Sequence, residues 1–192
     1  MNAPRLWLVR HARPLVAAGV CYGRLDLAAD AGATRAAAAA LARALPARVA
    51  ALRHSTLQRC ELFAHTLQGF RPDLAPEPDA GLCELDFGSW EGLAWEAIGR
   101  EAVDAWSADL ARHAPGGGEP LAAMLARVGR ALARDTALAR ALRADMVWVS
   151  HAGVARCVQW LLTHGCQRLP SARQWPREAP DYGRWRCFTL TG

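Results

Sequence analysis

Two short apolar runs, residues 6–9 and 146–149, each stop at chemically capable side chains: Arg10 and His11 after the first, Ser150 and His151 after the second. A run with no polar residue at alternate positions reads as a strand buried on both faces, and such strands occur in sheets that helices cover on either side. The segments between them fit that layering. Residues 33–45 form an alanine-rich helical stretch closed by Pro46, 49–53 a further strand, and 57–67 a helix stopped by the Gln68 to Pro72 segment. Pro76, Pro78 and Gly81 predict a loop, and 95–112 one or two short helices. A glycine-rich break at 114–120 precedes an amphipathic helix over 121–142. Residues 146–150 read as the central strand, 154–164 as a helix, 170–180 as a proline-rich loop and 184–190 as an alternating strand.

The expected architecture is α/β: one domain over residues 1–192, a three-layer α/β/α sandwich with a mostly parallel central sheet and a small helical cap inserted at roughly 85–120. Sites in such sheets form at the carboxyl ends of the strands, and His11, Ser55 and His151 all fall there.

Composition narrows the chemistry. A chain of 192 residues suffices for one sizeable core. No apolar stretch approaches the roughly 20 residues of a membrane span, and Arg10 interrupts the first run too early for a signal-peptide core. No membrane association and a cytoplasmic location are therefore expected. The six cysteines contain no Cys-x-x-Cys pair, so free thiols are expected rather than a disulfide framework. Neither His-x-His nor His-Glu-x-x-His occurs, and no metal or other cofactor is expected. All 23 basic residues are arginine, which excludes a Walker lysine and a Schiff-base lysine. The net charge of +5 is spread along the chain without a dense basic block, so a small anionic metabolite, not nucleic acid, is the expected partner. Homodimerisation is compatible with the sequence.

Two strand-end histidines with arginines nearby suit phosphoryl transfer, in which a protein mainly positions groups and neutralises charge on the equatorial oxygens. Arg10 and Arg59 offer planar forks that bind phosphate oxygens in pairs. His11 is the candidate nucleophile, and His151, at the start of a turn into a helix, a candidate phosphate donor. Among Glu84, Asp86 and Glu91, all close in sequence, any one has the chemistry of a general acid. His65, His113 and His164 read as surface or capping residues, while His54 adjoins Ser55 at a strand end. Trp90 and Trp95, beside the acidic cluster, are candidates for a substrate pocket.

The Arg10-His11 pair, Ser55-x-x-x-Arg59, Glu84 ahead of Gly88-x-x-Glu91-Gly92, and Ser150-His151-x-Gly153 stand in the order found in the histidine phosphatase superfamily, and the chain resembles that family over nearly its whole length. The resemblance implies a phosphoglycerate mutase-like fold and a metal-independent phosphatase acting through a phosphohistidine. It assigns catalysis to His11, Glu84 and His151, and phosphate binding to Arg10, Arg59 and His151. Within the family, Glu84-Leu-Asp-Phe-Gly-Ser-Trp-Glu-Gly92 followed by Pro115-Gly-Gly-Gly-Glu119 looks like the α-ribazole phosphatase group, whose substrate belongs to cobalamin biosynthesis. The segment Cys21-Tyr22-Gly23 fits that group's pocket, adding Tyr22 and Gly23 to Trp90 as substrate-pocket candidates. The alternatives are a phosphoglycerate mutase-type phosphotransferase and a catalytically weak phosphate-binding regulator. The extra basic insertion of the mutases is missing, which favours the phosphatase.

Two departures stand out. The family's glycine after the histidine is Ala12, followed by Arg13 where an acidic residue is usual. The family's Leu-Thr-x-x-Gly is Ala28-Ala-Asp30-Ala-Gly32, a change expected to alter only a helix cap.

Overall fold

In a computed structural model describing residues 3–190, the two apolar runs lie side by side as β1 (Arg5–Arg10) and β4 (Asp145–Ser150). Their side chains alternate between two cores. Leu6, Leu8, Met146 and Trp148 join α5 (Leu121–Leu142) and α6 (Ala152–His164) through Met124, Val128, Val158 and Trp160. Trp7, Val9, Val147 and Val149 face the other way, onto Leu41 of α1 (Ala31–Ala44) and Phe63 and Leu67 of α2 (Gln58–Phe70). Helices thus cover both faces. Each fully buried large side chain stabilises the fold by about 1.5–3 kcal/mol, which is why these two strands carry polar residues only at their first and last positions.

The sheet runs β3-β2-β4-β1-β5, with β2 (Val49–His54), β3 (Pro76–Pro78) and β5 (Trp185–Thr189). Neighbours are parallel except β5, which pairs antiparallel to β1. In register, Val149 lies between Val9 and His54, so β1, β2 and β4 end level and release His11, Ser55 and His151 at one edge.

Three local readings are corrected. The expected loop at Pro76 and Pro78 is the edge strand β3, where a missing N–H on the outer side costs no ladder bond. Helix α2 does not stop at 67 but continues to Phe70, where Arg71 caps it. Helix α1 starts at Ala31, and Asp30 accepts from the Ala33 amide at 2.6 Å, so the departure at 28–32 preserves the cap.

Between β3 and α5 lie three 3-10 turns (Ala80–Leu82, Gly88–Trp90, Pro115–Gly117) and two short helices, α3 (Trp95–Ile98) and α4 (Arg100–Ala108). The two motifs that suggested a subgroup are packed on each other: a side chain on Gly118 would meet the Asp86 carbonyl at 2.2 Å, and Glu119 N donates to that carbonyl at 2.8 Å. The loop after β1 is stitched to this segment, with Cys21 N donating to Leu93 O at 2.7 Å and Gly92 N to Cys21 O at 2.8 Å. No helix among the described residues is long and apolar enough to cross a membrane.

Candidate active site

Arg10, His11, Tyr22, Arg59, Glu84 and His151 line one cavity of about 320 Å3 at the carboxyl edge of the sheet, within the size range of small-molecule sites. The floor is a pair of buried imidazoles, His11 and His151, with ring centroids 5.1 Å apart. His11 is held by its neighbours in sequence and in the sheet. Its backbone N donates to Ser150 O at 3.1 Å, and its Nδ1 donates to the Ala12 carbonyl at 2.7 Å. A carbonyl only accepts, so Nδ1 carries the hydrogen and Nε2 keeps a free lone pair. Burial first, then Arg59, pushes the His11 pKa down to about 3; the Ala12 bond opposes this and Arg10 adds to it. Ala12 itself is buried and lies outside the positive-φ region, so alanine serves in the family's glycine position without backbone strain.

His151 bonds through Nε2 to Ser55 Oγ at 2.8 Å and lies 3.5 Å from the Cys60 thiol. Its pKa is lowered by burial, then by His11 and Arg59. In the first turn of α6 an amide is taken by a carboxylate: Gly153 N donates to Glu84 Oε2 at 2.9 Å, while Leu85 N donates to Oε1 at 3.0 Å. Those two bonds and the missing Cβ of Gly153 set where Glu84 sits.

The guanidinium of Arg59 is fully buried on the first turn of α2. Nη2 donates to Gly23 O at 2.6 Å and Nη1 to Leu25 O at 2.8 Å, whereas Nε is buried with no partner. Arg10 repeats the pattern, with Nη1 on Pro180 O at 3.2 Å and a buried, unpartnered Nε. Buried donors without partners are rare in folded proteins, and the four found among the described residues, Nε of Arg10, Arg59 and Arg156 and the Trp106 indole N–H, all belong to residues lining this one cavity; of these, Arg10 and Arg59 act on the charge of both imidazoles. A tetrahedral oxyanion is the ligand that this donor set fits.

Of the other carboxylates, Glu91 accepts from the amides of Gly23, Arg24, Leu25 and Phe87. It shapes the loop whose carbonyls Arg59 grips. Asp86 accepts from Gly88 N at 2.8 Å and does not line the cavity. His54 donates through Nδ1 to Ser55 O at 2.9 Å and packs near His65, away from the cavity.

Two pocket candidates lie behind the wall and do not line it. A side chain on Gly23 would strike Leu85 O at 1.8 Å, so its role is close backbone approach. Trp90 is buried edge-on against Trp95 and Trp106, and these two rings line the cavity instead. With Phe87 and Trp175 they make an aromatic chamber that adjoins the histidines, and Arg156 brings a further guanidinium. Sequence reading missed Trp106, Trp175 and Arg156. The last was findable, since Arg156 follows Ala152 by one turn on α6 and so shares its face.

Arg127 was also missed. From α5 it donates to the carbonyls of Gly81, Cys83 and Glu84 and, through two nitrogens, to Glu119. It staples the chain leading into Glu84 to the glycine-rich loop.

The family model for the histidine phosphatase superfamily (branch 1) matches residues 6–178. The chain belongs to the histidine phosphatase superfamily. Among solved structures, a mycobacterial glucosyl-3-phosphoglycerate phosphatase is 25% identical with a TM-score of 0.78, covering 98% of each chain. A protein titled mycobacterial hydrolase 1 is 26% identical with a TM-score of 0.82, covering 97% of this chain and 89% of that one. A Thermus thermophilus protein is 28% identical with a TM-score of 0.68, covering 95% and 92%. A search of the curated proteins found no match. Family membership and phosphatase neighbours make this histidine phosphatase a phosphoric monoester hydrolase.

Proposed function

We propose that the chain hydrolyses a small phosphorylated metabolite through a phosphohistidine on His11, and that α-ribazole 5′-phosphate is that metabolite. The observation that carries the first part is the placement of two guanidinium groups, Arg10 and Arg59, in one cavity with a histidine whose Nε2 lone pair is free. The solved mycobacterial phosphatase is described in complexes with VO3 and with inorganic phosphate, both of the size this cradle fits.

In the proposed reaction Nε2 of His11 attacks phosphorus in line. The P–O bond to the leaving alcohol breaks as the P–N bond forms, and Glu84 delivers a proton to the departing oxygen. Glu84, now a carboxylate, takes a proton from water, whose oxygen attacks phosphorus and releases His11 and inorganic phosphate. Arg10 and Arg59 neutralise the equatorial oxygens throughout. A phosphate dianion beside His151 favours its imidazolium, which then donates to the same oxygens.

The finer reading is supported by the subgroup motif around Glu84 and by the chamber. Phe87, Trp95, Trp106 and Trp175 offer stacking faces to a flat benzimidazole base. A second reading, a sugar-acid phosphate, is favoured by the activity of the named neighbour. A polyol would strand hydroxyls against these rings, where Arg156 and the Trp106 indole N–H are the polar groups beyond the cradle.

Phosphate release tests both parts. Wild type and His11→Ala are assayed with chelator on an aryl phosphate, α-ribazole 5′-phosphate, glucosyl-3-phosphoglycerate and 3-phosphoglycerate. Turnover that needs His11 and is fastest on α-ribazole 5′-phosphate is expected. Fastest release from glucosyl-3-phosphoglycerate replaces the substrate and keeps the chemistry. Full activity of His11→Ala removes the nucleophile, and saturable phosphate binding without turnover makes the chain a binding protein.

A further inference from the structure

The chain has two tyrosines, and they meet beside the phosphate cradle: Tyr22 and Tyr182 place their hydroxyl oxygens 2.5 Å apart. Each ring also attends one of the cradle's arginines. The Arg10 guanidinium carbon lies 3.8 Å from the Tyr182 ring centroid, and that of Arg59 lies 5.7 Å from the Tyr22 centroid.

The two arginines are held unequally. Arg59 has two short bonds to carbonyls, but Arg10 has one at 3.2 Å, to Pro180, and its Nε has none. A long, rotamer-rich side chain with one weak polar tether does not keep its plane by hydrogen bonding alone. What remains is the face of Tyr182, at the separation of a good cation–π contact. That ring comes from a loop tied to the same strand end, since Gly183 N donates to both Arg10 O and His11 O. Burial, then the hydrogen bond to Tyr182, raises the Tyr22 pKa, so the Tyr22 hydroxyl stays neutral while it links the two rings.

We infer that Tyr182 is a positioning residue for phosphate binding: its ring fixes the plane of Arg10, and its hydroxyl, through Tyr22, couples that plane to the wall holding Arg59. The inference rests on Arg10 being a phosphate arm, so Arg10→Ala is measured first. The readout is the inhibition constant of inorganic phosphate, with KM and kcat for an aryl phosphate recorded alongside.

Tyr182→Leu is expected to weaken phosphate binding by roughly two- to thirtyfold, the span of cation–π contacts converted to affinity. Tyr182→Phe keeps the ring and retains most of that affinity. In an Arg10→Ala background, Tyr182→Leu adds nothing, because the residue it positions is gone. Wild-type phosphate affinity in folded Tyr182→Leu overturns the inference, as does an effect that multiplies with that of Arg10→Ala. Should Tyr182→Leu fail to fold, phenylalanines of increasing fluorination at position 182 decide: affinity falling with fluorination supports the contact and a flat series sinks it. If Arg10→Ala itself leaves phosphate affinity untouched, the reading of Arg10 fails, and that outcome is distinct from failure of Tyr182 alone.

Discussion

Acidification should unfold this protein partly through His11. His11 is 2% exposed, its Nδ1 hydrogen is committed to the Ala12 carbonyl, and Arg59 and Arg10 stand nearby. Its pKa is about 3 in the folded chain against an ordinary value of 6.5. Between those two values the unfolded chain binds one proton more than the folded one, so stability rises with pH at up to about 1.4 kcal/mol per unit. The contribution is complete above about 6.5 and is lost as pH falls through 6.5 towards 3. Integrated from about pH 7.5 down to about pH 5.0, the single site costs about 2 kcal/mol, a large share of the usual 5–15 kcal/mol of a folded domain. His151 is lowered by burial and by His11 and Arg59, and it acts in the same direction. Urea unfolding in phosphate-free buffer at the two pH values measures the difference. In His11→Asn, whose side-chain amide can still donate to Ala12, the loss on acidification should shrink by about 2 kcal/mol. An unchanged loss in that variant would refute the buried neutral imidazole, and with it the free Nε2 that the proposed chemistry needs. Added phosphate, an anion beside the rings, should flatten the wild-type dependence.

Two further substitutions probe how the groups are held. In Gly153→Ala the new Cβ would sit 2.0 Å from Glu84 Oε1, so the carboxylate must leave its place. Turnover should fall about 100-fold with thermal stability kept, alanine being the better helix former; wild-type kcat would show that Glu84 is not the acid. Arg59→Lys keeps the charge but cannot serve Gly23 O, Leu25 O and phosphate with one ammonium. The expected cost is about 100- to 1,000-fold in kcat/KM and about 2–4 kcal/mol in stability, read from kinetics and urea unfolding. A lysine variant with wild-type kcat/KM would mean that the fork has no special part.

The strand ends were legible because an apolar run reports two things at once: that both faces are covered, and where the cover stops. His11 and His151 inherit their position from that edge. The direction of β5 was not legible, since alternation marks a strand without orienting it. Pro76 and Pro78 misled because their lost N–H matters only inside a sheet, and edge status is a tertiary fact. Contacts such as Tyr22 with Tyr182, 160 residues apart, leave no local signal at all. Trp90 differs from Trp95 and Trp106 only by the elements that carry them: it sits in a 3-10 turn that buries it, while they sit on short helices of the cap.

The acidic cluster shows most directly what a fold adds to a motif. Residues Glu84, Asp86 and Glu91 are chemically equivalent on paper, and backbone amides separate them. Glu91 accepts from four amides of two segments and Asp86 from one within its own turn, so both are spent on holding loops in place. A carboxylate bonded as fully as Glu91 cannot turn toward a departing oxygen without leaving those amides unpaired. Glu84 alone of the three lines the cavity, with its main chain stapled by Arg127 and its carboxylate set by the amide of a glycine. Its selection follows from where the turns point three similar side chains, and a substitution that re-aims Glu84 should therefore cost as much as one that removes its charge.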